Sequence, residues 1–235
     1  MADRPILFSG PMVRAILDGR KTQTRRVIEP YENAPHPFSG AKAAPNLVTV
    51  AVPARLGGFT PGPTFCTRYA PGDRLWVRET FVTGFNIDDE LGRPVGDRKV
   101  WYRATDSGLT WFDPDTETTL DNPPWKPSVH MPRWASRLTL IVTDVRVQRL
   151  RDISEADALA EGVESRFIRP VPGDGSAQTW WFGTADGRLT PIAAFRDLWD
   201  SLNAARGYGW DRNPWVCAVT FEAHQRNIDQ MGVAA

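Results

Sequence analysis

The residues best suited to chemistry crowd into GRKTQTRR, residues 19–26, where two threonine hydroxyls stand among four basic side chains. Such a cluster suits a solvated basic turn, a clamp for phosphate oxygens, or a nucleophile with its proton acceptor. The third role makes the strictest demand. A threonine hydroxyl must pass its proton to a neighbour as it attacks, and a lysine accepts that proton only when neutral. The pKa of Lys21 must then fall from about 10.4 to roughly 7–8, a change of about 4 kcal/mol. Arg20, Arg25 and Arg26 are sequence neighbours whose like charge pushes in that direction.

The cluster has to be held between a helix and a strand. PILFS (5–9) reads as a short strand, Ser9-Gly10-Pro11 as a helix cap, and Met12, Val13, Ile16 and Leu17 recur at helical spacing. Gly19 is a natural stop, and TQTRRVI (22–28) has the β-branched content of a strand. In a regular strand, positions 21 and 24 face opposite sides, so Lys21 and Thr24 converge only if Lys21 lies in the turn and Thr24 in the strand. Thr22, Thr24 and Arg26 share one strand face.

A carboxylate candidate comes from ISEADALAEG (153–162), a short helix with Ser154 and Asp157 at capping spacing and Gly162 at its end. Glu161 falls in the last turn, where a negative charge opposes the helix dipole by about 0.3–1 kcal/mol. That placement suits a functional group or a solvated glutamate at a frayed end. Further strands are expected in LVTVAV (47–52), GDRLWVRETF (72–81), KVWYRATD (99–106), RLTLIVTDVRVQRL (137–150) and PWVCAVTFEAH (214–224). A longer helix, TPIAAFRDLWDSLNAARG (190–207), carries Ile192, Phe195, Leu198, Trp199 and Leu202 on one face. Three tracts rich in loop-forming residues, at about 30–72, 107–136 and 163–189, read as surface insertions in a single domain spanning residues 1–235. Strands outnumber helices and no βαβ alternation appears, so the class is α+β, mainly β: a curled or closed mixed sheet with a few attached helices.

Composition narrows the chemistry. Lys+Arg and Asp+Glu balance at 28 each, so a nucleic-acid or membrane partner would have to be recognised through a local patch. Cys66 and Cys217 form no C-x-x-C pair, and with His36, His130 and His224 they give no metal-ligand spacing. No dinucleotide fingerprint or P-loop is present, and no metal or organic cofactor is implied. The first residues lack the pattern of a signal peptide, and no run approaches the roughly 20 apolar residues that span a bilayer, so a cytoplasmic location is expected. Ten tryptophans serve mostly as core and loop anchors. Trp76, Trp101 and Tyr102 read as core, with Trp76 a candidate to stack on a planar ligand. Glu79 is a reserve carboxylate that points toward a barrel mouth.

G-R-K-T-x-T-x-R at 19–26 resembles the opening motif of the ASCH domain family, whose fold is a small PUA-like β-barrel. Pro71-Gly72-Asp73 with RLWV, the strand leading into ISEADALAEG, and VCAVTF line up in the same order. RPILFSGPMVRAILDGRKTQTRR, GDRLWVRET and HMPRWASRLTL are similar to phage- and prophage-encoded members. The matched blocks cover about half the chain and leave the three loop tracts outside the minimal domain.

The resemblance implies an RNA-related role and, for a bacterial branch, hydrolysis of the acetyl amide of N4-acetylcytidine. Its catalytic group of lysine, threonine and glutamate falls on Lys21, Thr24 and Glu161, with Thr24 as nucleophile. Thr22, Arg26, Trp76 and Glu79 are the expected substrate contacts. The function expected is therefore an amidohydrolase acting on N4-acylated cytidine or a related modified nucleoside, in the cytoplasm of a bacterial host, with no obligate protein partner. Whether Lys21 is the base or the oxyanion stabiliser stays open at this level. Two alternatives use the same residues: a non-catalytic module binding RNA or modified nucleic acid, and a metal-independent ribonuclease.

Overall fold

The computed structural model describes residues 2–30, 46–53, 59–87, 94–113, 118–168 and 178–232. The first elements in chain order are β1 (Asp3–Leu7), α1 (Gly10–Leu17), β2 (Gln23–Val27), β3 (Asn46–Pro53) and β4 (Phe59–Thr67). Next come β5 (Arg74–Arg78), β6 (Phe81–Ile87), β7 (Pro94–Tyr102), β8 (Trp111–Asp113), β9 (Thr118–Leu120) and β10 (Thr139–Arg149). The chain continues through α2 (Glu155–Ala160), β11 (Glu164–Ile168), β12 (Gln178–Phe182), β13 (Gly187–Arg188), α3 (Pro191–Asn203) and β14 (Trp215–His224). The protein is mainly β with a few helices. No helix among the described residues is long and apolar enough to cross a membrane.

Two compact units are formed, each from separated stretches of chain. The first comprises Gly19–Asp73 and Val142–Glu222. Its sheet runs β10–β14–β2, and β2 lies antiparallel to β14 with Thr24 opposite Val219 and Arg25 opposite Ala218. Leu150, Ile153, Ala158, Val163 and Val216 pack with Ala194, Phe195 and Trp199 of α3 to form its core. The α3 face is shorter than its periodicity suggests, because Leu202 in the last turn is 44% exposed. Thr190 caps the start of α3 by accepting from the Ala193 N–H, and Pro191 occupies the first turn, where its missing N–H costs nothing. Gly183 is obligatory beside this helix: a Cβ there would stand 1.9 Å from the Ala194 carbonyl oxygen.

The second unit comprises Ala2–Asp18, Arg74–Ile141 and Ala223–Ala235. Here β1 runs parallel to β5, and the first residues of β10 run antiparallel to β5 on its other side. Leu75 and Val77 alternate inward along β5, and α1 buries Val13, Ala15 and Ile16, the side its apolar spacing marks out. A smaller cluster joins Phe81, Met131 and Ala135, with Val100 and Tyr102 against it. The β6–β7 hairpin presents Gly84 to Trp111, whose ring leaves no space for a Cβ.

The three tracts expected as loops contain paired strands. FTPGPTFCT holds two prolines and a glycine, which read as loop, yet it pairs as β4 with β3. The ladder accommodates them with an irregularity between Thr49 and Ala51, opposite the proline stretch; prolines are tolerated in edge strands and at bulges. β8 pairs with β9, and β11, β12 and β13 form a three-stranded sheet that holds Trp180 and Trp181. Residues 31–45 and 54–58 of the first tract, 114–117 of the second and 169–177 of the third lie outside the described residues, as does His36.

Candidate active site

The site is set by where the chain goes after α1. Gly19 has a φ of +72°, open to glycine at little cost, and turns the chain out of the helix. Lys21 then makes an isolated antiparallel bridge to Glu161, and the Thr22 N–H donates to the Ala160 carbonyl at 2.9 Å. The Thr22 carbonyl in turn accepts from the Phe221 N–H at 2.9 Å. Regular pairing with β14 begins at Gln23, so Lys21 lies before the strand and Thr24 within it. On the partner side, the Ser154 hydroxyl accepts from the Asp157 N–H to start α2, and Gly162 at φ +93° lets the chain leave directly after Glu161, which caps the helix.

These two termini bring Lys21 and Glu161 together from 140 positions apart. Lys21 Nζ donates to Glu161 Oε2 at 2.8 Å, to the Glu161 carbonyl at 3.0 Å and to the Gln23 carbonyl at 2.7 Å. Lys21 is 1% exposed and Glu161 5%. Burial pushes the lysine pKa down; the Glu161 carboxylate resists, and the like charges of Arg26 and Arg25 add to the fall, so the net direction is downward. Nearby, the Arg20 guanidinium donates to the Gly162 carbonyl at 2.9 Å.

A second cation completes the cluster. Arg25, with a fully buried guanidinium, donates to Glu161 Oε1 at 3.0 Å, to Asp157 Oδ2 at 3.0 Å and to Gln23 Oε1 at 2.5 Å. The Gln23 amide donates to Asp157 Oδ1 at 3.2 Å and to the Thr220 hydroxyl at 3.1 Å. Arg146 reaches Asp157 Oδ1 from β10 at 3.0 Å. Burial alone would raise the Asp157 pKa, but the Arg146 hydrogen bond and the charges of Arg25 and Arg146 outweigh it and hold the carboxyl below its ordinary value. The guanidinium also lies 5.8 Å from the Phe195 ring centre, within cation–π range.

In the sequence Arg25 reads only as a like-charged neighbour of Lys21, and Asp157 only as a capping position. A joint signal for both was present. Lys21, Gln23 and Arg25 alternate at the strand period, and Asp157 and Glu161 are four apart at the helical one. The two carboxylates at the end of α2 thus meet Gln23 and Arg25 on one face of β2 and Lys21 just before it.

The other expected site residues are distributed differently. Thr24 is buried, and strand alternation puts its side chain on the face of β2 opposite Gln23 and Arg25. Among the described residues none hydrogen-bonds to its hydroxyl. Thr22 and Arg26 are exposed. Trp76 and Glu79 belong to the second unit. Trp76 is half-buried in β5 with the Arg78 guanidinium 5.3 Å from its ring centre. Glu79 is clasped by Arg137, Nε to Oε1 at 2.9 Å and Nη2 to Oε2 at 3.0 Å, and burial pushes its carboxyl pKa up. Arg137 also lies 4.0 Å from the Tyr102 ring centre. Among the described residues no group of three or more His, Cys, Asp or Glu side chains could hold a metal ion.

No family model matches the chain, and no curated protein or solved structure matches it either.

Proposed function

We propose that this chain is an amidohydrolase that removes the acyl group from N4-acylated cytidine or a related modified nucleoside, on a PUA-like framework of the ASCH type in a bacterial cytoplasm. The observation that carries the reading is the buried Lys21–Glu161 pair, in which desolvation pulls the lysine toward the neutral form a base requires. Thr24 is the nucleophile. Lys21 Nζ bonds the carbonyl of Gln23, one peptide bond from Thr24, on the side of β2 that faces away from β14. For the base role Nζ must leave the Gln23 carbonyl and turn across the edge of β2 to the Thr24 hydroxyl.

In this reading the Thr24 oxygen adds to the amide carbonyl carbon while neutral Lys21 takes the hydroxyl proton. The lysine returns that proton to N4 as the C–N bond breaks, which leaves an acyl ester on Thr24 and releases the cytidine. Water then attacks the ester with Lys21 accepting its proton, and the carboxylic acid departs as Thr24 regains its hydrogen. Glu161 orients the lysine throughout, and the exposed Thr22 and Arg26 meet the nucleoside.

A second reading rests on the three acceptors that surround Lys21 Nζ, a set that matches the three N–H bonds of a charged lysine. It makes the chain a module that binds RNA or modified nucleic acid without chemistry. Incubation with N4-acetylcytidine separates the two. Release of cytidine and acetate supports the enzyme. Absence of turnover with N4-acetylcytidine and other N4-acylated cytidines, by folded protein, overturns it in favour of binding, which would weaken steeply with salt.

A further inference from the structure

We propose that Arg25 is a positioning residue for the Lys21–Glu161 pair: it holds one oxygen of the Glu161 carboxylate so that the other faces Lys21, and Asp157 and Gln23 hold the guanidinium in turn. The fork is used on three sides, toward Glu161, Asp157 and Gln23. The Glu161 carboxylate is thereby divided, Oε1 to arginine and Oε2 to lysine. A carboxylate bound on one oxygen only could rotate about its last torsion, and the second contact removes that freedom.

Charge supplies an independent reason for Arg25. Lys21, Arg25 and Glu161 are each at most 5% exposed. With Lys21 protonated this trio carries two positive charges and one negative, and loss of the lysine proton makes it neutral. Burial disfavours the net charge, so the arginine helps the lysine release its proton. Among the described residues, charged groups facing the pair include Glu161 and Asp157 from the α2 end, Arg25 and Arg26 from β2, Arg20 from the preceding turn and, through Asp157, Arg146 from β10. β14 contributes the uncharged Thr220. Of the two carboxylates, Asp157 is the more exposed and is shared with Arg146.

The catalytic consequence rests on the amidohydrolase reading, whereas the electrostatic one does not. Nitrogen NMR of the lysine side chains follows each Nζ through a pH titration. The chain has Lys21, Lys42, Lys99 and Lys126, and a Lys21→Met sample assigns the signal. In Arg25→Met the proton affinity of Lys21 is expected to rise about tenfold or more, because the remaining buried pair is neutral with the lysine charged. If Arg25→Met prevents folding, Arg25→Gln removes the charge and keeps an amide that hydrogen-bonds to the carboxylates, and a rise of the same sign is expected. An unmoved Lys21 titration in a folded variant overturns the proposal. The pH at which hydrolysis is half-maximal should move upward with the titration. A moved titration in a protein that never hydrolyses N4-acylated cytidine sinks the amidohydrolase reading and leaves the role of Arg25 intact. Hydrolysis with an unmoved titration does the reverse.

Discussion

Lys21 Nζ and Glu161 Oε2 stand 2.8 Å apart with neither side chain more than 5% exposed. An ion pair so placed is costly to assemble, since each charge loses its water, and costly to break, since the survivor stays buried. Substitution of Lys21 therefore separates chemistry from charge. Arginine keeps a positive charge but stays protonated near neutrality and cannot serve as a base. The amidohydrolase reading predicts that Lys21→Arg loses nearly as much kcat as Lys21→Ala, about a hundredfold or more. Rescue by arginine would rule out the base. Steady-state kinetics on N4-acetylcytidine decides between them.

Thr24→Val removes the hydroxyl while retaining a β-branched side chain suited to a strand. Because no described residue hydrogen-bonds to that hydroxyl, stability should change by no more than about 1 kcal/mol in urea unfolding. Turnover should vanish. A Thr24→Val protein with near wild-type activity would make Thr24 structural and would require another nucleophile.

The Glu79–Arg137 pair gives a stability prediction with a defined pH dependence. Arg137→Ala strands a buried carboxylate and should cost about 2–4 kcal/mol at neutral pH, somewhat less than a fully buried pair because the guanidinium is part-exposed. Burial already raises the Glu79 pKa, and Arg137 opposes that rise. A raised carboxyl holds its proton in the folded state where the unfolded chain has lost it. Its contribution is full below the unfolded value and is lost as pH rises through the folded one. Without Arg137 the folded value climbs further, so the deficit against wild type should shrink toward pH 4 and grow toward pH 7. Urea titrations across that range, with Glu79→Gln/Arg137→Ala less destabilised than Arg137→Ala at pH 7, would check it.

Gly183→Ala tests the packing of α3. The added methyl would meet the Ala194 carbonyl at 1.9 Å and Leu198 Cβ at 3.0 Å, and the backbone oxygen cannot turn aside without disturbing the helix. A loss of about 1–3 kcal/mol, the usual cost of overpacking, should appear in thermal or urea unfolding. An unchanged midpoint would mean that the strand end and the helix part easily.

Much of the framework was legible in local signals, because capping, period and turn chemistry act over a few residues. Pro11 sits in the first turn of α1, where the Ser9 side chain makes no capping hydrogen bond; Ser154 caps α2, Thr190 caps α3, and most of RLTLIVTDVRVQRL forms β10. The polar alternation of Lys21, Gln23 and Arg25 and the four-residue spacing of Asp157 and Glu161 were equally present. The pairing of β3 with β4 was not, since the prolines of β4 contradict strand propensity and only a partner with a ladder irregularity accommodates them. Nor could Glu79 be matched to Arg137 from 58 positions away. Above all, no local rule connects residue 21 to residue 161. That contact depends on β2 docking along β14 and on α2 ending where Lys21 leaves its turn, and a buried charge tolerates that place only when its counter-charge arrives with it.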